Sequence, residues 1–299
     1  MSGMTTPRHG KSAFFKYYTA DVTKIILIST SLKWSTPLLF NDPFDNQFNL
    51  YYEDPDDSLV DSQLKQFIET ITSPEPLRPN QFGEKTAIME DIRQVHMQNP
   101  DFKYTEDDLA YLRGDVIEGM ERVKAITPEV NAEIRRIMAD TSVFCLSETH
   151  DNLLMWSHYA QNHTGAVIEF RVLPEISSAT LEAQPVRYSN KMPRLSLADL
   201  ADFEKLRHDI LAVITLAKSD VWAYEKEWRI VTSLRDKTQS YEIIPCYPEE
   251  IGAVYLGCKM TNEDTEELIE ITRSKYKHAK IFQAKKHARE FALIFEEIM

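Results

Sequence analysis

Between Glu53 and Asp140 the chain carries 20 acidic and 10 basic residues, and its apolar side chains recur at helical spacing. Leu64, Phe67, Ile68 and Ile71 form one such set, and Leu109, Leu112 and Val116 form another. Residues three and four apart share one face of an α-helix, so several helices with a solvated acidic surface are predicted. Pro74, Pro76, Pro79, Pro100 and Pro128 punctuate the stretch. A helical period does not settle as a strand. Residues 53–140 therefore read as a helical acidic insertion in a chain whose flanks look different.

The flanks are rich in strands. Ala13–Tyr18 reads as extended, Asp21 as the cap of a short helix ending at Ser29, and Leu32–Thr36 as a second strand. Further strands are predicted at 142–147, 165–172, 184–188, 228–233, 241–244, 253–256 and 279–283. Helices are predicted at 152–160, 197–216 and 263–276. Several neighbouring strands lack an intervening helix. The expected fold is α+β, a mixed and largely antiparallel sheet with flanking helices, built from residues 12–52 and 141–299. Residues 1–11 are expected to be flexible.

Composition removes several function classes. The 299 residues are 43% hydrophobic and 27% charged, the balance of a globular protein. A net charge of −13 argues against coating duplex DNA through the overall field. Three cysteines, Cys145, Cys246 and Cys258, form no C-x-x-C pair, and a reducing cytoplasm is expected. Met1–Lys11 shows no apolar signal region, and apolar runs such as Ile25–Ile28 are far too short for a membrane span, so none is expected. Eight glycines form neither G-x-G-x-x-G nor a P-loop, and H-E-x-x-H and G-x-S-x-G are absent.

Four stretches could carry chemistry. In Trp222–Arg229, W-A-Y-E-K-E-W-R, strand periodicity would put Glu225, Glu227 and Arg229 on one face and Trp222, Tyr224, Lys226 and Trp228 on the other. Paired carboxylates repel unless a cation compensates, and Arg229 could do so. The pair could hold a sugar hydroxyl or a metal; an Arg-neutralised polar face beside an aromatic core is the plainer alternative. Cys145–His163 holds His150, His158 and His163 without a zinc spacing, and Ser147-Glu148 at a strand end could contact a ligand. Phe40–Asp45, F-N-D-P-F-D, reads as a turn whose Asp42 and Asp45 could bind Mg²⁺. Arg273–Arg289 holds seven Lys or Arg residues and no acid, which suits either phosphate contact or an edge strand protected by lysines.

The chain resembles a bacterial family of unknown function, the one numbered 2971. The resemblance lies in Tyr17–Tyr18, F-N-D-P-F-D at Phe40–Asp45, C-L-S-E at Cys145–Glu148 and L-L-M-W-S-H-Y-A at Leu153–Ala160 with Gly165. It continues in W-A-Y-E-K-E-W-R-I at Trp222–Ile230 and L-G-C-K-M at Leu256–Met260. A weaker resemblance, to ADP-ribosyltransferase folds, rests on Lys16–Tyr18, the helix from Asp21, Ser35-Thr36 and Glu225-Lys226-Glu227. It implies NAD as cofactor, with Glu227 holding the nicotinamide ribose and Glu225 orienting the acceptor. Ser35 and Thr36 would support the site, and Lys16, Tyr17 and Tyr18 would touch the cofactor. Ser147, Glu148, Tyr159 and Arg229 complete the candidate nucleotide-contacting set, and no metal ligand is assigned. A role in bacterial defence or as a toxin effector is one expectation. The alternatives are a metal-dependent nuclease built on Asp42, Asp45, Glu225 and Glu227, or a sensor binding a nucleotide or nucleic acid through Arg273–Arg289.

Overall fold

The computed structural model describes residues 9–46, 49–52, 56–79, 85–99, 101–193 and 212–298. The chain forms two compact units. One comprises Met1–Gln47, Ile137–Asn190 and Leu216–Met299; the other comprises Phe48–Arg136 and Lys191–Thr215. The sequence boundaries of 52/53 and 140/141 lie a few residues away, and the sequence reading kept 191–215 with the core. The predicted helix at 197–216 lies almost wholly outside the described residues, as does most of the N-terminal stretch 1–11.

The first unit is an α+β structure around a mixed, largely antiparallel sheet. Strand β1, Ala13–Tyr18, leads into helix α1, Ala20–Ser29, and strand β2, Ser31–Ser35. Thr19 caps α1 by accepting from the Val22 amide at 3.3 Å, and Asp21 sits one position inside the helix rather than capping it. Strand β3, Thr141–Ser147, helix α5, Leu153–His158, and strand β4, Ala166–Arg171, follow the second unit in the chain. The predicted strand at 184–188 is two short ones, β5 at Gln184–Pro185 and β6 at Arg187–Ser189. Then come β7 at Ala217–Ser219, β8 at Glu227–Ser233, β9 at Tyr241–Pro245 and β10 at Ile251–Leu256. Helix α6, Asn262–Lys275, strand β11, Lys280–Lys286, and strand β12, Leu293–Glu297, complete the unit.

The sheet runs β12-β11-β10-β4-β1-β3-β2-β9, and β8 pairs with β3 and β5. Within that sheet β10 and β11 are parallel and the other pairs antiparallel. β3 pairs with β8 over seven residues, from Thr141↔Ser233 to Ser147↔Glu227. Its pairing with β1 shrinks to Phe15↔Ser147, and with β2 to Ser35↔Val143. Lys16 adds a side-chain link there, donating to the Cys145 carbonyl.

Two apolar layers hold the sheet. Ile26 and Leu27 of α1 and Leu268 of α6 cluster with Phe14, Trp34, Phe144, Phe170 and Trp228. Met155 and Trp156 of α5 cluster with Tyr17, Val167 and Tyr255. The Trp156 ring is fully buried, and its Nε1 donates to the His150 carbonyl at 2.7 Å.

The second unit carries helices α2, Asp57–Thr72, α3, Thr86–Gln98, and α4, Glu106–Ala139. Val60, Val116 and Met120 form its small apolar cluster, with Leu59, Leu64 and Tyr52 packed on it. Pro128 lies inside α4, which continues past it for its full 34 residues instead of ending there. Asn131 in α4 closes both backbone bonds of Leu50, each at 2.8 Å.

Candidate functional site

Strand β8 starts later than periodicity suggests. Asp220–Glu225 winds into a 3₁₀ helix, and Lys226 then takes a left-handed conformation with φ of 46°. Glu225 and Glu227 are therefore not strand neighbours two positions apart, and the predicted alternation holds only from Glu227, which shares a side of β8 with Arg229. Trp228 instead packs at 5.1 Å on Phe14, while Trp222 and Tyr224 stay on the 3₁₀ turn. The turn nonetheless sends both carboxylates into one buried cluster.

Lys218 on β7 is the hub of that cluster. Its Nζ donates to Glu225 Oε2 at 2.5 Å and to Glu227 Oε2 at 2.9 Å, and lies 3.6 Å from Asp45 Oδ2. Arg229 is the second cation. It grips Glu227 through Nε at 2.7 Å and Nη2 at 3.0 Å, and Asp45 through Nη1 at 2.8 Å and Nη2 at 2.6 Å. Bidentate geometry of this kind is the strongest form of ion pair. Tyr159, just after α5, donates to Glu225 Oε1 at 2.6 Å, and Ser147 on β3 donates to the Glu225 carbonyl at 2.7 Å. Tyr188 of β6 accepts from the Glu227 amide at 2.8 Å.

Asp45 enters from F-N-D-P-F-D. Asp42 accepts from the Phe44 amide at 2.9 Å and closes the turn, so Asp45 is presented inward while Asp42 is spent on its own backbone. Phe40, from the same turn, lies 5.4 Å from the Arg229 guanidinium.

The cluster forms the floor of a cavity of about 300 Å³. Glu225, Glu227, Asp45 and Lys218 line it below, and Phe15, Tyr17, Phe40, Met155 and Tyr159 provide apolar and aromatic wall. Lys16, Cys145 and Ser147 also reach it.

The electrostatics follow from burial and pairing. Burial alone would push the Glu227 carboxyl up, but Arg229 and Lys218 outweigh it and hold the group well below the usual carboxylate range. Burial likewise opposes charge on Lys218, yet Glu227, Glu225 and Asp45 raise its pKa above that of an ordinary lysine. Lys16 goes the other way: burial lowers its pKa, and Cys145, Glu227 and Glu225 beside it compensate only in part. Burial, then the Glu227 charge, pushes the Cys145 thiol up to about 12, which removes it as a thiolate nucleophile at neutral pH.

Of the eleven residues proposed from the sequence for the NAD site, Glu225, Glu227, Lys16, Tyr17, Ser147 and Tyr159 all reach this cavity, as does Asp45 of the metal alternative. Arg229 is fully buried beneath it. The other four do not line it. Tyr18 packs on the α1-side core, Ser35 is a β2–β3 pairing residue, and the Thr36 side chain is buried with its hydroxyl unpartnered among the described residues. Glu148 turns away to Lys11 at 2.9 Å and to Trp228 Nε1 at 2.7 Å. Lys218 was missed. It sits in the three-residue strand β7, and no local pattern marks it as the partner of acids seven and nine residues later.

Arg273–Arg289 is not one basic face. Lys275 caps the Ile28 carbonyl, Lys280 pairs with Glu297 at 3.0 Å and Lys285 with Glu296 at 2.5 Å. The acids come from β12, a strand the sequence reading did not identify. Among the described residues no group of three His, Cys, Asp or Glu side chains is arranged to hold a metal ion, and no helix is long and apolar enough to cross a membrane.

Residues 155–230 match a family described as a protein of unknown function, DUF2971. The matched segment includes Tyr159, Lys218, Glu225, Glu227 and Arg229. No curated protein and no solved structure matches the chain.

Proposed function

We propose that the protein is an ADP-ribosyltransferase-like enzyme that uses NAD, with the ribosyl-nicotinamide half entering the cavity above Glu225 and Glu227. The observation that carries this reading is the charge balance at the cavity floor. Three carboxylates, Asp45, Glu225 and Glu227, meet two ion-paired cations, Lys218 and Arg229. One formal negative charge is left over. Lys16 also lines the cavity, but among the described residues its ammonium donates to the Cys145 carbonyl and to none of the three carboxylates, and burial lowers its pKa.

Breaking the bond between ribose C1′ and nicotinamide sends the electron pair to nicotinamide and leaves positive charge developing on the ribosyl carbon. A fixed surplus of carboxylate in a partly desolvated site stabilises that charge. The two glutamates divide the work. Glu227 accepts three hydrogen bonds from Arg229 and Lys218, so it serves as the rigid anchor. Glu225 accepts two, from Tyr159 and Lys218, and a carboxylate has about four acceptor positions. Glu225 therefore keeps capacity for a ribose hydroxyl or the ribosyl centre. Tyr17, Phe15 and Phe40 offer a wall for a flat ring. At about 300 Å³ the cavity is at the low end of ligand pockets, roughly 300–1,000 Å³, and suits half of a dinucleotide. In this reading Ser35 and Thr36 have no part, and Ser147 orders the Glu225 backbone instead.

The test is nicotinamide release from NAD by the purified protein, with and without cell lysate as a source of acceptor. Glu225→Gln is expected to lose on the order of 10²–10³ in rate while keeping its cooperative melt. A folded Glu225→Gln protein that turns NAD over at the wild-type rate would remove the residue, and the reading, from consideration.

A further inference from the structure

A second cavity, of about 500 Å³, is lined by the turn of the β11–β12 hairpin together with Leu153, His163 and Lys259. Lys259, Lys286 and Arg289 line it, and none of the three has an ion pair among the described residues. Lys280 and Lys285, on the same strand as Lys286, are both paired with glutamates. Glu290 is the single acid in that lining and lies 4.0 Å from His287 Nδ1, so the three cations outnumber it.

Two further features share that cavity. Phe291, in the hairpin loop, is 102% exposed, so its ring packs on nothing in this chain. His163 has a buried Nδ1 with no hydrogen-bond partner among the described residues. Burial first, then the nearby Lys259 and Lys286 charges, lowers the His163 pKa and keeps the ring neutral. Ser157 donates its hydroxyl to the Leu153 carbonyl at 3.0 Å, so the 3.2 Å contact to His163 Nε2 uses the imidazole proton. Nδ1 is then a bare acceptor.

We propose that this cavity binds a nucleotide, with its phosphates on Lys259, Lys286 and Arg289, its base stacked on Phe291 and a ribose hydroxyl donating to His163. Cations, an unpacked aromatic ring and a buried acceptor together match the three parts of a nucleotide. The site takes a single nucleotide rather than a nucleic-acid strand. Glu290 is among its lining residues, and the chain's overall charge repels a polyanion. The proposal is independent of NAD chemistry in the other cavity.

The experiment is calorimetric titration of the full chain with ADP, adenosine, inorganic phosphate and a ten-nucleotide single-stranded RNA. Saturable ADP binding is expected. The double variant Lys286→Ala with Arg289→Ala should weaken it by about tenfold or more, which is about 1.4 kcal/mol. Phe291→Ala should weaken ADP and leave inorganic phosphate unchanged. All three positions are exposed, so the variants should melt like wild type. Lys280→Ala, which removes a paired lysine, should leave ADP binding unchanged. ADP affinity that survives the double variant, or that falls only in Glu225→Gln, overturns the site. RNA binding more than a hundredfold tighter than ADP, with a steep salt dependence, overturns the single-nucleotide assignment in favour of a strand-binding surface. Phosphate binding that equals ADP binding and ignores Phe291→Ala reduces the site to one for inorganic anions and overturns the nucleotide.

Discussion

Lys218 and Glu225 stand seven residues apart and meet at 2.5 Å, Nζ to Oε2, with both side chains almost wholly buried. The meeting depends on the left-handed turn at Lys226, which separates Glu225 from β8 and lets it fold back toward β7. The same ammonium also serves Glu227 at 2.9 Å, so one lysine neutralises parts of two acids. Removing one partner from such a set is far costlier than replacing the whole set.

Lys218→Met is therefore expected to destabilise the protein by about 3–5 kcal/mol at pH 7. The loss should shrink on acidification, because a carboxyl deprived of its cation takes up a proton. Denaturant titrations at pH 7 and pH 5 check this. Equal midpoints for variant and wild type at pH 7 would show that the ion cluster carries no net stability.

Acid stability should report on Glu227. Its native pKa is depressed, so its contribution is fully present above the unfolded carboxylate value of about 4.3. That contribution is lost as pH falls from there toward the lower native value. Wild type should show a falling Tm below about pH 5, and Glu227→Gln should start lower and fall less steeply. Parallel Tm curves for the two proteins would take Glu227 out of the acid transition. Glu227→Gln also removes the carboxylate that Arg229 and Lys218 share, so it tests stability as much as chemistry.

Trp156→Ala removes a fully buried ring and the bond from Nε1 to the His150 carbonyl. A cost of about 3–5 kcal/mol is expected for emptying such a volume. A thermal melt within one degree of wild type would mean that α5 does not hold the Tyr17 side of the sheet.

At Gly165 an added Cβ would lie 2.1 Å from the Tyr18 carbonyl oxygen and 3.1 Å from the Ala160 backbone. Neither neighbour is a flexible side-chain end. Gly165→Ala should therefore cost at least about 1–3 kcal/mol through forced backbone movement between β1 and β4. A Tm equal to wild type would show that these strands can shift apart freely.

Much of this architecture can be read from residue order. The helical tract from Glu53, the strand at Ala13–Tyr18 and the α+β class follow from spacing, because periods of 3.6 and 2 are local properties. The Glu225 and Glu227 pair was visible as a pattern, but its geometry was not. A strand was expected where the backbone breaks at Lys226, since no propensity marks a lysine for positive φ. Lys218 and Asp45 became partners only through pairings that link distant segments. Ser35 and Thr36 show the converse: a plausible dipeptide whose strand carries it into sheet pairing and core. Strand β12 was not identified in the sequence; its Glu296 and Glu297 pair with Lys285 and Lys280 across the hairpin.

Arg229 and Asp45 are 184 residues apart, and the whole acidic helical stretch is threaded between them. Closing a loop of that length carries an entropic cost that grows with the logarithm of its length. Contacts of such long range slow folding and form after local helices and hairpins. Asp45 leaves the ribosome long before the arginine that will bury it exists. Until Lys218 and Arg229 emerge, it waits as an ordinary hydrated carboxylate at the end of a turn. The charged floor of the cavity is thus assembled late, and a nascent or truncated chain that stops before β8 can be partly folded yet have no site at all.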